Sequence, residues 1–154
     1  MQISLLADAP DAISVLAPAF KQHWSPHAPV EHLDNISAKF RSFLQRDAVP
    51  LALVAMERGE VLGTVALLSE SVKSRTNLGP WLAALFVFPS HRRQGVGAAL
   101  VAAAEAQARL LGLRELYAGT ETARSLFGKL GWEALEQVEE SGEHLTIFRR
   151  SIGA

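Results

Sequence analysis

An α/β sandwich built on a mixed central sheet of six to seven strands, flanked by about four helices in the order βααβββαβαββ, is the fold this sequence predicts. Three observations predict it. Trp81 to Phe88 is apolar at almost every position, the pattern of a central strand buried on both faces. The turn Gln94-Gly95-Val96-Gly97 follows it and opens an Ala-rich helical stretch. Two amphipathic helical patterns come before that strand, and hairpin patterns lie on either side of it.

In order, Ile3 and Leu5 alternate with polar neighbours as a short first strand, and Asp8, with Pro10 and Asp11 close behind, predicts a helix cap. Ile13, Leu16, Ala17, Phe20 and Trp24 then share one helical face. Pro26 and Pro29 break that helix, and Leu33, Ile36, Phe40, Phe43 and Leu44 trace a second one. Leu51 to Met56 and Val61 to Leu68 are strand-like runs joined by Glu57-Arg58-Gly59-Glu60, a turn short enough for an antiparallel hairpin. Ser69 to Gly79 is a polar loop before the central strand. The helix from Gly95 to Leu111 is closed by Gly112, a strand runs from Leu113 to Ala118, and a short helix from Thr122 to Leu130 ends at Gly131. Trp132 to Val138 and His144 to Arg149, joined around Ser141-Gly142, form the last hairpin.

A chain of 154 residues without linkers, repeats or low-complexity tracts reads as one domain spanning 1–154. A net charge of −1 provides no general attraction to nucleic acid or anionic membrane, so neither is an expected partner. The absence of cysteine excludes disulfides, thiolate nucleophiles and thiolate metal sites, and suits a reducing cytoplasm. Met1-Gln2-Ile3-Ser4 shows neither a basic region nor an apolar leader core, and no apolar stretch is long enough to span a bilayer.

The glycine turn carries the chemistry. Gly95 and Gly97 let successive backbone N–H groups approach a ligand without Cβ hindrance, and the positive end of the following helix favours an anion, so a phosphate or pyrophosphate is expected there. A nucleotide-triphosphate loop would need Lys-Ser/Thr where Ala98-Ala99 stand, and a dinucleotide fingerprint would need a third glycine at Leu100. What remains, Arg92-x-x-Gly95-x-Gly97 after a strand ending in Val87-Phe88-Pro89, resembles the acetyl-CoA pyrophosphate loop of the GNAT superfamily of N-acetyltransferases. The resemblance extends over essentially the whole chain and is most specific from Trp81 to Trp132.

That resemblance implies an acyltransferase that moves an acetyl group from acetyl-CoA to the primary amine of a small molecule or a peptide N-terminus by direct attack, with no metal. It implies a pyrophosphate site on the backbone of Arg93, Gln94, Gly95, Val96, Gly97 and Ala98, with a side-chain contact from Arg92 or Arg93. It also implies that the backbone of Leu85, Phe86 and Val87 pairs with the pantetheine arm as an added strand, and that one of these N–H groups polarises the thioester. Aligned on the family pattern Tyr-x-Lys/Arg-x-Gly-Phe, Ala123 to Trp132 place Phe127 where a coenzyme-side tyrosine commonly stands, and Thr120 where an asparagine is common. The missing hydroxyl admits a second reading, a catalytically silent acyl-CoA-binding or regulatory protein.

An amine nucleophile must lose a proton, so a carboxylate near the sheet opening is wanted. Glu115 on the fifth strand is the first candidate, ahead of Glu70 and Glu121, with Tyr117 on the same strand face. Trp24 and Trp81 are candidate walls for the acceptor. His23, His27 and His32 cluster in sequence, but Pro26 and Pro29 keep His23 and His27 off one helical face, so no metal site is expected. Arg92-Arg93 lack the wider basic surface of a nucleic-acid interface. A monomer or a homodimer is expected.

Overall fold

The computed structural model of the chain describes residues 1–24, 33–140 and 142–153, with the backbone alone for Trp24, Leu33 and Asp34. The elements follow the expected order: β1 (Gln2–Leu5), α1 (Ile13–Trp24), α2 (Leu33–Arg41), β2 (Leu51–Glu57), β3 (Glu60–Leu68), β4 (Trp81–Val87), α3 (Val96–Leu110), β5 (Glu115–Thr120), α4 (Arg124–Lys129), β6 (Glu133–Glu140) and β7 (Glu143–Ser151). The strands form one seven-stranded sheet in the order β1-β2-β3-β4-β5-β7-β6. Its neighbours are antiparallel except β4 and β5, whose parallel pairing needs a crossover, and α3 supplies it. The β2–β3 turn is a two-residue hairpin with Arg58 at φ 52° and Gly59 at φ 80°, the left-handed pair that matches strand twist.

Strand alternation sends side chains to two faces. On one face Leu53, Leu67, Leu82, Leu116 and Phe148 pack with Val96, Leu100 and Ala104 of α3 and Phe127 of α4. On the other, Ala52, Val54 and Ala66 lie under α1 and α2, through Leu16, Ala17 and Phe40. Trp81, Tyr117 and Ile147 continue that second face beyond the two helices, where Val72 from the β3–β4 connection covers them. That connection, expected as a polar loop, therefore contributes to the core and carries a 3₁₀ turn at Lys73–Arg75.

Asp8 does not cap α1. It ends a 3₁₀ turn, and its carboxylate pairs with Arg46 while a second turn, Pro10–Ala12, delays the helix to Ile13. Phe43 and Leu44 lie past the end of α2 and still reach the core, because the chain turns back there and Leu44 bridges to Leu51.

β4 is irregular at one point. Thr64 pairs with Phe86 and Ala66 with Ala83, so Ala84 and Leu85 oppose the single residue Val65, and Ala84 sits at φ 54°. This is a β-bulge, which turns the strand and ends regular pairing. Gly63, opposite Val87, accommodates the shifted strand, since a Cβ there would collide with the Phe86 carbonyl oxygen. Gly63→Ala is expected to lower unfolding free energy by about 1–3 kcal/mol in urea titration, the usual cost of overpacking, because backbone rather than a flexible side chain would have to move.

Candidate active site

The bulge opens the sheet. Among the described residues β4 pairs with β5 through Trp81↔Tyr117, at the start of β4, and the strands part beyond that point. The edge of β4 from Ala84 to Val87 thus faces a gap in place of a neighbouring strand. Backbone N–H and C=O groups on such an edge are ready to pair with an extended ligand.

A cradle lies at the mouth of this gap on the α3 face. Pro89–His91 forms a 3₁₀ turn, Arg93 and Gly95 take left-handed φ values of 62° and 83°, and α3 begins at Val96. The first backbone bond into α3 runs from Ala99 N–H to the Gly95 carbonyl, so the N–H groups of Val96, Gly97 and Ala98 point off the helix end. A Cβ on Gly97 would lie 3.5 Å from Leu126 Cδ2 and 3.8 Å from Val87 Cγ2, which places Gly97 between α4 and the parted end of β4. Arg92, exposed, folds back along the surface: its Nε donates to the Val87 carbonyl at 2.9 Å and its guanidinium stacks 5.9 Å from the Phe86 ring centre. Arg92 thereby ties the loop to β4, and Arg93, exposed like Arg92, lies beside the N–H groups. The arrangement fits a diphosphate with an extended amide-bearing arm.

The opposite face of the gap has two walls. Phe20 and His23 of α1 pack on Phe86, with ring centres 5.5 and 5.3 Å away. Across from them, residues 69–80 form a strap whose Val72 is 4% exposed and lies against Gly119, where a Cβ would come within 2.8 Å of Val72 Cγ2. The strap is pinned to β6: Glu140 accepts from the N–H groups of Ser74 and Lys73 at 2.9 and 3.1 Å, and Glu136 accepts from Arg75.

Several expected side chains do not reach the gap. Glu115 lies on the closed side of the Trp81–Tyr117 pairing, and its Oε2 accepts from Arg149 Nε at 2.8 Å. The Arg149 guanidinium is held above its ordinary range first by Glu115 and then by the Tyr117 hydroxyl. Glu115 and Tyr117 share a strand face as expected, and there they face Arg149, on the closed side of the β4–β5 pairing. Trp81 is fully buried, with its Nε1 donating to the Leu78 carbonyl at 3.0 Å, and belongs to the core. Phe127 is 2% exposed, packed between Trp132 and Phe148 at 5.0 and 5.5 Å, and contributes to the core. The Trp24 side chain, His27 and His32 lie outside the described residues. Among the described residues no group of three His, Asp or Glu side chains could hold a metal ion, and no helix is long and apolar enough to cross a membrane.

A model of the acetyltransferase (GNAT) family matches residues 11–132. The chain belongs to that family. As a GNAT protein it is an acyltransferase of the N-acetyltransferase type, and its mixed seven-stranded sheet with four helices is the family fold. No curated protein matches it by sequence. Among solved structures it is similar to an aminoglycoside 6'-N-acetyltransferase complexed with coenzyme A, at TM-score 0.79 and 16% identity over 99% of this chain and 97% of that one. It is similar to yncA of Salmonella typhimurium with its cofactor acetyl-CoA, at TM-score 0.77 and 20% identity over 99% and 94%. A ribosomal-protein-alanine N-acetyltransferase from Brucella melitensis gives TM-score 0.78 and 19% identity over 98% and 99%. At these identities the likeness establishes the fold.

Burial pushes the Glu140 carboxyl up, but its hydrogen bonds from Ser74 and Lys73 outweigh burial and hold it below its ordinary value. A carboxyl lowered in the folded state adds stability above its unfolded pKa and loses it as pH falls through the folded one. The strap is therefore expected to loosen below about pH 4, read as faster amide exchange across residues 69–80 after correction for intrinsic rates. Glu140→Gln should show the same loosening at neutral pH.

Proposed function

We propose that this GNAT protein binds acetyl-CoA with its diphosphate on the N–H groups of Arg93 to Ala98 and its pantetheine arm along the open edge of β4, and acetylates a primary amine. The observation that supports this reading is the bulge at Ala84, which leaves β4 unpaired beside a helix N-terminus built for an anion. Acetyl-CoA supplies an activated thioester. The chain supplies position and polarisation: an N–H in the bulged segment Ala84–Leu85, turned out of the ladder, donates to the thioester oxygen as charge builds on it. Holding amine and carbonyl in reactive geometry is worth effective molarities of about 10⁵ M or more.

The cradle lies on the α3 face, so the amine approaches from the α1 side, between Phe20 and the strap. The walls there carry an aromatic ring, an imidazole and an apolar strap residue, a surface suited to a small amine or an unstructured peptide N-terminus. Since Phe127 provides no hydroxyl, the departing thiolate takes its proton from water. The same residue favours the alternative of a silent acyl-CoA-binding protein, and turnover separates the two: both bind coenzyme, and only an enzyme releases thiol when an amine is supplied.

Gly97→Glu places an anion in the cradle, and its Cβ would meet Leu126 and Val87 at ordinary contact distance without a clash. Calorimetry is expected to show at least a 100-fold loss of acetyl-CoA affinity with circular dichroism unchanged; undiminished affinity would remove the basis of the proposal. Thiol release across amines, polyamines, aminoglycosides and short peptides then identifies the acceptor. Glu115→Gln is expected to bind coenzyme and turn over as wild type with an unaltered pH–rate profile, losing only part of its pairing with Arg149, and an altered profile would restore Glu115 to the reaction.

A further inference from the structure

The strap of residues 69–80 joins two antiparallel neighbours, β3 and β4, and Leu68 before it pairs with Trp81 after it. Hairpin connections usually take about 2–5 residues, so the strap is longer than the turn requires. It is also a folded unit. Gly79 lies so close to the Ser69 carbonyl that a Cβ there would come within 2.8 Å of its oxygen, which brings the two ends of the strap together. Inside it the Arg75 N–H donates to the Val72 carbonyl at 2.9 Å, the Leu78 N–H to the Arg75 carbonyl at 3.2 Å, and Trp81 Nε1 to the Leu78 carbonyl. A loop whose ends meet and whose interior is bonded keeps its shape, so its anchors set where it lies.

There are two such anchors. Alternation along β6 puts Glu136, Val138 and Glu140 on the sheet face that carries Ile147 and Leu145. From that face Glu140 takes the Ser74 N–H on one carboxylate oxygen and the Lys73 N–H on the other, while Glu136 takes both Nε and Nη2 of Arg75. The second anchor is Val72, which is buried against Gly119 among Trp81, Tyr117 and Ile147. Gly119 lies two residues beyond Tyr117, where β5 has already parted from β4, and its missing Cβ lets the strap rest on the sheet itself. We infer that the strap selects the acceptor: seated on Gly119 and held by Glu140 and Glu136, it narrows the β4–β5 opening on the α1 side to a slender, unbranched amine. Glu140 is then a positioning residue, acting through the strap. The inference rests on the proposed acetyl-CoA chemistry.

The seat responds to single atoms. A Cβ on Gly119 would lie 2.8 Å from Val72 Cγ2, and a β-branched side chain is stiff at χ1, so Val72 has little freedom to swing aside and the strap must lift. Gly119→Ala thus widens the opening from the sheet side. Glu140→Gln replaces a carboxylate that accepts two N–H groups by an amide with one acceptor oxygen, and so frees the strap from the β6 side. One methylene in a shape-selective site is worth about 10- to 200-fold in discrimination, so a strap lifted by the width of a methyl group changes which amine is preferred.

The test uses the full chain with acetyl-CoA and two members of the amine panel, the linear diamine putrescine and the aminoglycoside kanamycin, and reads thiol release. Glu140→Gln and Gly119→Ala are each expected to bind acetyl-CoA as the wild type does by calorimetry. Each should raise KM for putrescine with kcat little changed, and raise the kanamycin-to-putrescine ratio of kcat/KM by about tenfold or more. Adding Val72→Ala to Gly119→Ala removes the methyl that the new Cβ meets, and should return the ratio toward wild type; a Cβ that obstructed the acceptor directly would permit no such return. Should Gly119→Ala not fold, Glu140→Gln decides alone. A second readout needs no turnover: putrescine added to the coenzyme A complex is expected to slow amide exchange at residues 69–80. Folded variants that keep the wild-type KM and ratio would overturn the inference, as would a fall in kcat alone, or strap exchange that neither amine alters. Failure of the wild type to bind acetyl-CoA would instead overturn the functional reading beneath it.

Discussion

A single extra residue in β4 sets the geometry on which the rest of the site depends. A parallel neighbour such as β5 would ordinarily satisfy β4 along its length, and burying its backbone groups without partners would cost several kcal/mol. The bulge at Ala84 instead turns the strand, so that pairing holds at Trp81 and Tyr117 and ends beyond them. Two small residues make this possible. Ala84 takes a left-handed φ with only a methyl group to accommodate, and Gly63 lets β3 follow closely enough that the Phe86 carbonyl fills the place of a Cβ.

The crossover places charge recognition at this opening. A parallel β4–β5 pair requires the chain to travel from one end of the sheet back to the other, and α3 does so with its N-terminus at the C-terminal end of β4. The free N–H groups of a helix start therefore lie beside the parted strands as a consequence of connectivity. Arg92 reinforces the junction by using its guanidinium on the Val87 carbonyl and the Phe86 ring.

The face away from α3 is covered in two halves by unlike means. Over β1 to β4 the cover is a pair of helices; over β5, β7 and β6 it is a strap with one buried apolar residue, fixed by carboxylates of β6 to backbone N–H groups and Arg75. A helix and a strap that meet on either side of an opening leave a groove between them, and in this chain the groove runs over Phe86 and Gly119.

The sequence by itself determined what is local. Apolar period, turn glycines and prolines specified the order of strands and helices, the two-residue turn at Arg58-Gly59, and the cradle at Gly95-Val96-Gly97, because each is written in neighbouring residues. The small pair Ala83-Ala84 in an otherwise bulky run was the available sign of the bulge, and without register it reads as plain strand. Only the tertiary structure decided what the side chains face. Glu115 and Tyr117 sit correctly on one strand face, yet which end of β5 stays closed depends on the register with β4, a pairing across 36 residues of chain between Trp81 and Tyr117. Trp81 and Phe127, legible as aromatic residues at the right places, were taken into the core by neighbours distant in sequence, Tyr117 for one and Phe148 for the other. His23 came to lie on Phe86 through the packing of α1, a contact that no spacing within the helix encodes.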